Sequence, residues 1–161
     1  MSRESDVRHL RRCVDLARGA LDTGSAPFGS LLVDAEGNVR GEDHNRTSGG
    51  DETQHPEFAL ARWAADNLSP RDRAAATVYT SGEHCAMCAA AHAWVGLGPI
   101  VYASSTQQIV TWLSDLGVPP FPIAPLAVND VAPGIAVRGP FPEFEAEIHG
   151  MFRELVHRAA P

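Results

Sequence analysis

A histidine with a glutamate two places on, His55-Pro56-Glu57, and a cysteine pair, Cys85-Ala86-Met87-Cys88, both stand where a helix is about to begin. A fold that uses the two motifs together must bring two helix N-termini to one point. Cys85-x-x-Cys88 on a first helical turn puts both sulfurs on one side, where unpaired backbone N–H groups and the positive end of the helix dipole favour thiolate over thiol. His55 falls at an N-cap with Pro56 at N1, where the missing N–H of proline costs nothing. Phe58, Ala61, Arg62 and Ala65 continue at helical spacing. One imidazole and two thiolates suit a tetrahedral Zn2+ whose fourth position stays with water, and the metal lowers that water's pKa from 15.7 to roughly 7. Glu57 then lies beside the water without ligating the metal.

The pattern has blander readings. A CxxC pair also serves as a redox couple or as half of a structural zinc knot. A closed structural site needs a fourth ligand, for which Cys13, His44 and His84 are the candidates. Cys13 falls on the apolar stripe Val7, Leu10, Val14, Ala17, Leu21 and reads as a small core residue. His9, His92, His149 and His157 read as surface or internally satisfied histidines.

These residues resemble the signature of the cytidine deaminase superfamily, H-x-E followed by P-C-x-x-C, in which the glutamate is a general acid/base and not a ligand. The resemblance is closest to the branch of guanine, cytosine and tRNA-adenosine deaminases and runs from the first helix to about Ser105. Pro27-Phe28-Gly29-Ser30-Leu31-Leu32-Val33, then Asn45, the histidine and cysteine motifs, and Trp94 follow in the order of that branch. The resemblance implies hydrolytic deamination of an amidine-like C–NH2 in an aromatic ring, with release of ammonia. His55, Cys85 and Cys88 would hold the zinc, and Glu57 would carry a proton first to the ring nitrogen and then to the departing amine. Asn45 would hydrogen-bond the ring, Phe28 and Trp94 would supply its walls, and the protein would be a homodimer.

Two positions depart from the pattern. Pro56 replaces the usual alanine between histidine and glutamate and has no N–H to offer a ring acceptor. His84 replaces the usual proline before the first cysteine. Both imply selectivity moved from ordinary cytosine or guanine toward another aminated purine, pyrimidine or triazine-like ring. In the guanine deaminase branch a C-terminal carboxylate can reach the base, which brings in Glu143 and Glu145; the residues alone read equally as first-turn charge opposing the helix dipole.

Composition narrows the substrate. The chain has 161 residues, 44% of them hydrophobic, enough for one domain spanning 1–161 and too few for two ordinary ones. Its net charge is −7, and all 13 basic residues are arginine. Nucleic acids are bound largely through Lys/Arg contacts to phosphate, so a nucleic-acid substrate is disfavoured and a small aminated heterocycle preferred. The Arg8/Arg11/Arg12 group reads as a solvated helix face. Absent lysine also excludes Schiff-base chemistry. No apolar run is long enough for a membrane span, and the N-terminus lacks the features of a signal peptide. Three cysteines, two of them assigned to metal, point to a reducing cytoplasm. The alternatives that remain are a tRNA-adenosine deaminase and a non-catalytic zinc-stabilised scaffold.

Periodicity predicts helices at 5–22, 56–68, 86–95, 106–116 and 142–159, and strands at 28–35, 39–44, 76–80, 100–104 and 135–138. Such alternation gives a three-layer α/β/α fold around a mixed sheet of about five strands. The C-terminal extension, 118–161, opens with a Pro-rich stretch and is expected to wrap the active site or a dimer interface. Ala89, Ala90 and Ala91, with Trp94 and Val95, form a candidate dimer face.

Overall fold

Five strands, β1 (Gly29–Val33), β2 (Val39–His44), β3 (Thr77–Gly82), β4 (Ile100–Ser104) and β5 (Val137–Arg138), form one sheet in the order β2-β1-β3-β4-β5. The computed structural model describes residues 2–159. β1 runs antiparallel to β2 and β3, whereas β3, β4 and β5 are parallel. The β1–β2 hairpin closes where Asp34 Oδ1 accepts the N–H groups of Glu36 and Asn38 and Gly37 takes φ 88°. That turn ends β1 at Val33, two residues short of the predicted strand.

Helices cover both faces because the strands are apolar on both sides. Leu31, Val33, Tyr79, Val101 and Ala103 face α1 (Arg3–Asp22), α5 (Thr106–Asp115) and α7 (Glu145–Ala159) in the larger core. Their strand neighbours Leu32 and Val78 meet Leu60, Ala61 and Ala64 of α2 (Pro56–Asn67) on the other side. Further along that second face, Ile100 and Tyr102 meet Ala89 of α4 (Ala86–Val95) and Val128 of α6 (Val128–Val131). The architecture is therefore three-layer α/β/α, with period-two side-chain alternation assigning each strand residue to a layer. Each fully buried leucine or valine contributes roughly 1.5–3 kcal/mol.

Close approach of α1 to the sheet depends on Gly29, where a Cβ would lie 2.4 Å from the Cys13 carbonyl oxygen and 2.5 Å from Leu16 Cβ. Cys13 is fully buried there, as its place on the apolar stripe requires. Sequence periodicity misses two short helices, α3 (Pro70–Ala75) and α6. α3 is set by its ends alone, with Ser69 Oγ accepting Asp72 N–H and Pro70 in the first turn. α6 ends a strap, residues 118–127, that crosses from the end of α5 to the second face of the sheet.

Candidate active site

The two predicted helix starts meet. His55 is the N-cap of α2 and Cys85 that of α4, both in extended backbone, with Cys88 one turn into α4. His55 Nδ1 lies 3.6 Å from Cys85 Sγ and 3.5 Å from Cys88 Sγ, and the three candidate ligand atoms are all within 4.8 Å of one another. Zn–S near 2.3 Å and Zn–N near 2.0–2.1 Å at a tetrahedral angle place nitrogen and sulfur about 3.6 Å apart. The donor set thus fits zinc in both identity and spacing.

Electrostatics point the same way. The Cys85 thiol is drawn down to about 4 by hydrogen bonding from Cys88, with His55 adding to the effect. Cys88 moves upward because the Cys85 thiolate and burial both oppose a second negative charge. His55 moves upward beside the Cys85 sulfur. Such a site can hold both sulfurs as thiolates only around a cation.

Glu57, in the first turn of α2, is buried, and burial pushes its carboxyl upward. Its Oε1 lies 2.9 Å from Thr80 Oγ1 in β3. The Thr80 hydroxyl accepts from Ser30 and also stands 2.9 Å from the Gly82 carbonyl oxygen. Its single proton can point to the carboxylate, or to Gly82 when the carboxyl carries its own proton. Glu57 therefore has a compatible neighbour in both protonation states.

Beside these groups opens a cavity of about 470 Å³. His55 and Cys85 line it together with Phe28 and Asn45. Asn45 follows β2, is 2% exposed, and donates its backbone N–H to the Phe28 carbonyl. Its Oδ1 is buried with no hydrogen-bond partner among the described residues, so it can take an N–H of a bound ring. Phe28 is held edge-on to Phe152 at 5.7 Å and lies over Gly82, where a Cβ would meet its ring at 2.6 Å.

Other expected substrate contacts lie elsewhere in this chain. Trp94 is 90% exposed on the outer side of α4, beside Ala90, Ala93 and Val131, and is no wall of the cavity. His84 is buried away from the cavity, its ring T-shaped against His92 at 5.2 Å. Burial holds that imidazole far below its usual pKa, and neither ring nitrogen has a partner among the described residues. Pro56 is buried in the first turn of α2 and does not line the cavity either. Glu143 is engaged by Arg3 at 2.9 Å, and Glu145 is exposed at the start of α7; neither reaches the cavity.

Sequence reasoning missed Glu83. Its Oε2 accepts the N–H of Thr106, first residue of α5, at 2.8 Å, and its Oε1 accepts the N–H of Val128, first residue of α6, at 2.9 Å. One buried carboxylate therefore fixes two helix starts to the loop that carries Cys85. It also anchors the strap, whose residues Phe121, Pro122, Ile123, Ala124, Pro125 and Leu126 form the far wall of the cavity. The legible signal is the strap itself, an apolar Pro-rich run with no helical or strand period.

His55, Cys85 and Cys88 would hold a zinc ion by three protein ligands, and Glu57 is buried two residues from His55 in the same helix start. Three ligands with an acid/base carboxyl nearby suit a catalytic site better than a closed structural one, and on this fold that donor set is the one a zinc-dependent deaminase uses. Comparison with known proteins agrees. Residues 3–104 match the cytidine and deoxycytidylate deaminase zinc-binding region, and the chain belongs to that family. A probable cytosine deaminase of Schizosaccharomyces pombe is 33% identical over 151 residues, 90% of each chain. A guanine deaminase of Bacillus subtilis is 31% identical over 59% of this chain and 62% of its own length. Among solved structures, a guanine deaminase from Nitrosomonas europaea superimposes with a TM-score of 0.69 at 21% identity, covering 92% of this chain and 83% of that one. A tRNA:A34 deaminase structure gives 0.55 at 30% identity, covering 62% and 76%. The protein is thus an enzyme, a deaminase of nucleobases.

Proposed function

We propose that this enzyme hydrolytically deaminates a free nucleobase or related aminated heterocycle, guanine-like, modified or triazine-like, with release of ammonia. The observation that carries the reading is the His55–Cys85–Cys88 ligand set, with the Glu57 carboxyl buried behind it two residues from His55, next to a cavity that His55 and Cys85 line together with a free acceptor on Asn45. When bound, zinc supplies the Lewis acid that makes a water nucleophilic near neutral pH. Glu57 takes one proton from the attacking water and delivers it to the ring nitrogen. It then takes the remaining hydroxyl proton from the ring carbon's new C–OH and delivers it to the amine, which leaves as ammonia as the C=O forms. The Thr80 hydroxyl reorients each time the carboxyl gains and loses a proton. Burial supports this role, since a carboxyl raised toward neutrality can both accept and give a proton. Asn45 orients the ring through an N–H, and Phe28 bounds it on one side.

A free base is favoured over a tRNA by charge. The Arg11 and Arg12 guanidiniums, at the centre of the small basic group on α1, are neutralised by Glu147 at 2.8 Å and Glu42 at 2.6 Å. Relatives include a tRNA-specific adenosine deaminase of Haemophilus influenzae, 32% identical over 65% of this chain and 61% of its own, so RNA is the reading to test against. The enzyme is further proposed to act as a cytoplasmic homodimer, with the exposed face of α4 around Trp94 as the contact. No helix among the described residues is long and apolar enough to cross a membrane.

Ammonia release by the zinc-loaded protein across guanine, cytosine, adenine, isoguanine and aminotriazines tests the reading, with Glu57→Ala as control. Release from a free ring that needs Glu57 supports it. No release from any free ring, together with tight and salt-sensitive tRNA binding, would replace it with the tRNA reading.

A further inference from the structure

The cavity above the ligands is larger than a base and apolar where a base is polar. At roughly 30 Å³ per non-hydrogen atom, the share of a water in the liquid, its 470 Å³ holds about sixteen such atoms, against about eleven in guanine and fewer in cytosine. The surplus space lies against the strap, where Phe121, Ile123 and Leu126 remain 47%, 46% and 39% exposed. Large apolar side chains left open beside an active site recover free energy only when something apolar covers them.

What covers them is restricted by the polar groups present. Both oxygens of Glu83, a cavity-lining carboxylate that anchors the strap, are already taken by the N–H groups of Thr106 and Val128. Other polar side chains of the lining, Thr47, Glu52 and Thr53, belong to the segment between β2 and α2 and not to the strap. No arginine is among the described residues that line the cavity, so nothing there pairs with a phosphate. The strap is also a fixed wall. Glu83 holds its far end at α6, and the Val118 N–H bonds the Leu113 carbonyl at its near end.

We propose, resting on the deaminase reading above, that the substrate is an aminated aromatic ring carrying an uncharged apolar substituent. The ring sits with its amine at the metal ligands and Glu57 and an N–H on Asn45, and the substituent lies against Phe121, Ile123 and Leu126. Nucleotides are disfavoured, since no arginine among the described residues lines the cavity to meet their phosphate.

Calorimetric titration of the zinc-loaded Glu57→Gln protein with matched probes tests this: cytosine against 5-benzylcytosine, which keeps its ring N–H, guanine against 9-benzylguanine, and cytidine against its 5′-phosphate. Ammonia release by wild type is followed in parallel. At least one benzylated ring is expected to bind about tenfold tighter than its bare parent, the effect of covering part of a phenyl ring's surface, with the phosphate bound more weakly than cytidine. The double substitution Phe121→Ser, Ile123→Ser should bring the two affinities of that pair together. Bare rings that bind and turn over as well as or better than benzylated ones would overturn the proposal and leave the deaminase reading standing. Silence toward every ring, in binding and in ammonia release, would overturn both. A dimer that dissociates in the double variant while the benzyl advantage stays unchanged would make the strap an interface between copies, and the proposal would fail.

Discussion

Thr80 Oγ1 stands 2.9 Å from Glu57 Oε1, so a β3 hydroxyl, itself fixed by Ser30, meets the carboxyl that handles the proton. Replacing Thr80 by valine keeps the shape and removes the hydrogen bond. A bond to a charged group is worth about 1.5–3 kcal/mol, so kcat should fall roughly 10- to 100-fold while zinc content stays at the wild-type level. Steady-state ammonia release and metal analysis of the variant check this; loss of zinc would show that Thr80 acts on the metal site instead.

Glu83 accepts two N–H groups, and glutamine at that position has one oxygen for both. Glu83→Gln turns an amide N–H toward Thr106 or Val128 and leaves a buried donor unpaired, at a cost of about 1–3 kcal/mol. The strap should loosen, seen as faster proteolysis within 118–127 and a raised KM with a smaller change in kcat. Equal proteolysis of variant and wild type would remove Glu83 as the anchor.

Stability should depend on the metal. A ligand present at about a thousand times its Kd adds roughly 4 kcal/mol, which for a chain of this size is about 10 °C in Tm. Chelation should lower Tm by that order in wild type and by far less in Cys88→Ala, as differential scanning calorimetry would show.

His92 is held neutral by burial, its Nε2–H donating to the Gly98 carbonyl at 2.8 Å, and the facing His84 is neutral for the same reason. Both folded-state pKa values lie below the unfolded value of 6.5. As pH falls below 6.5 the unfolded chain gains protons that the folded chain refuses, so stability is full above that pH and declines beneath it, by at most about 1.4 kcal/mol per pH unit per histidine. Urea unfolding at pH 7.5 and 5.5 should show a smaller decline in His92→Gln, which keeps an amide donor. An unchanged decline would mean that His92 does not titrate in this range.

Gly29→Ala places a methyl 2.4 Å from the Cys13 carbonyl. The helix must move off the sheet, and a loss of about 1–3 kcal/mol is expected, measurable as a lower urea midpoint with an unchanged m-value.

What could be read from the chain follows the range of the interactions involved. His55, Cys85 and Cys88 were legible because helix starts are local and ligand spacing within one turn is fixed by helix geometry. Five of the helices and all five strands follow from periodicity, whereas α3 and α6, at six and four residues, are too short to show any. Trp94 was misread through its membership of the cysteine helix. Six residues beyond Cys88, at 3.6 per turn, it has rotated about two-thirds of a turn away from the sulfurs, toward solvent. The Pro-rich run of the strap is legible as a segment that wraps the active site or a dimer interface, whereas its anchor Glu83 is not, because an acidic residue reads as surface until two distant N–H groups are found on it. Glu143 reads as a site residue until Arg3, 140 positions away, is found against it.

The central claim is that Glu57 and the zinc ligands add water to a free aminated ring. Mass spectrometry of the product formed in H₂¹⁸O measures this most directly. One ¹⁸O at the carbon that lost nitrogen and one ammonia per product are predicted, with Glu57→Ala binding the ring and forming neither. Turnover by Glu57→Ala at the wild-type rate, or a product without ¹⁸O, would contradict the account.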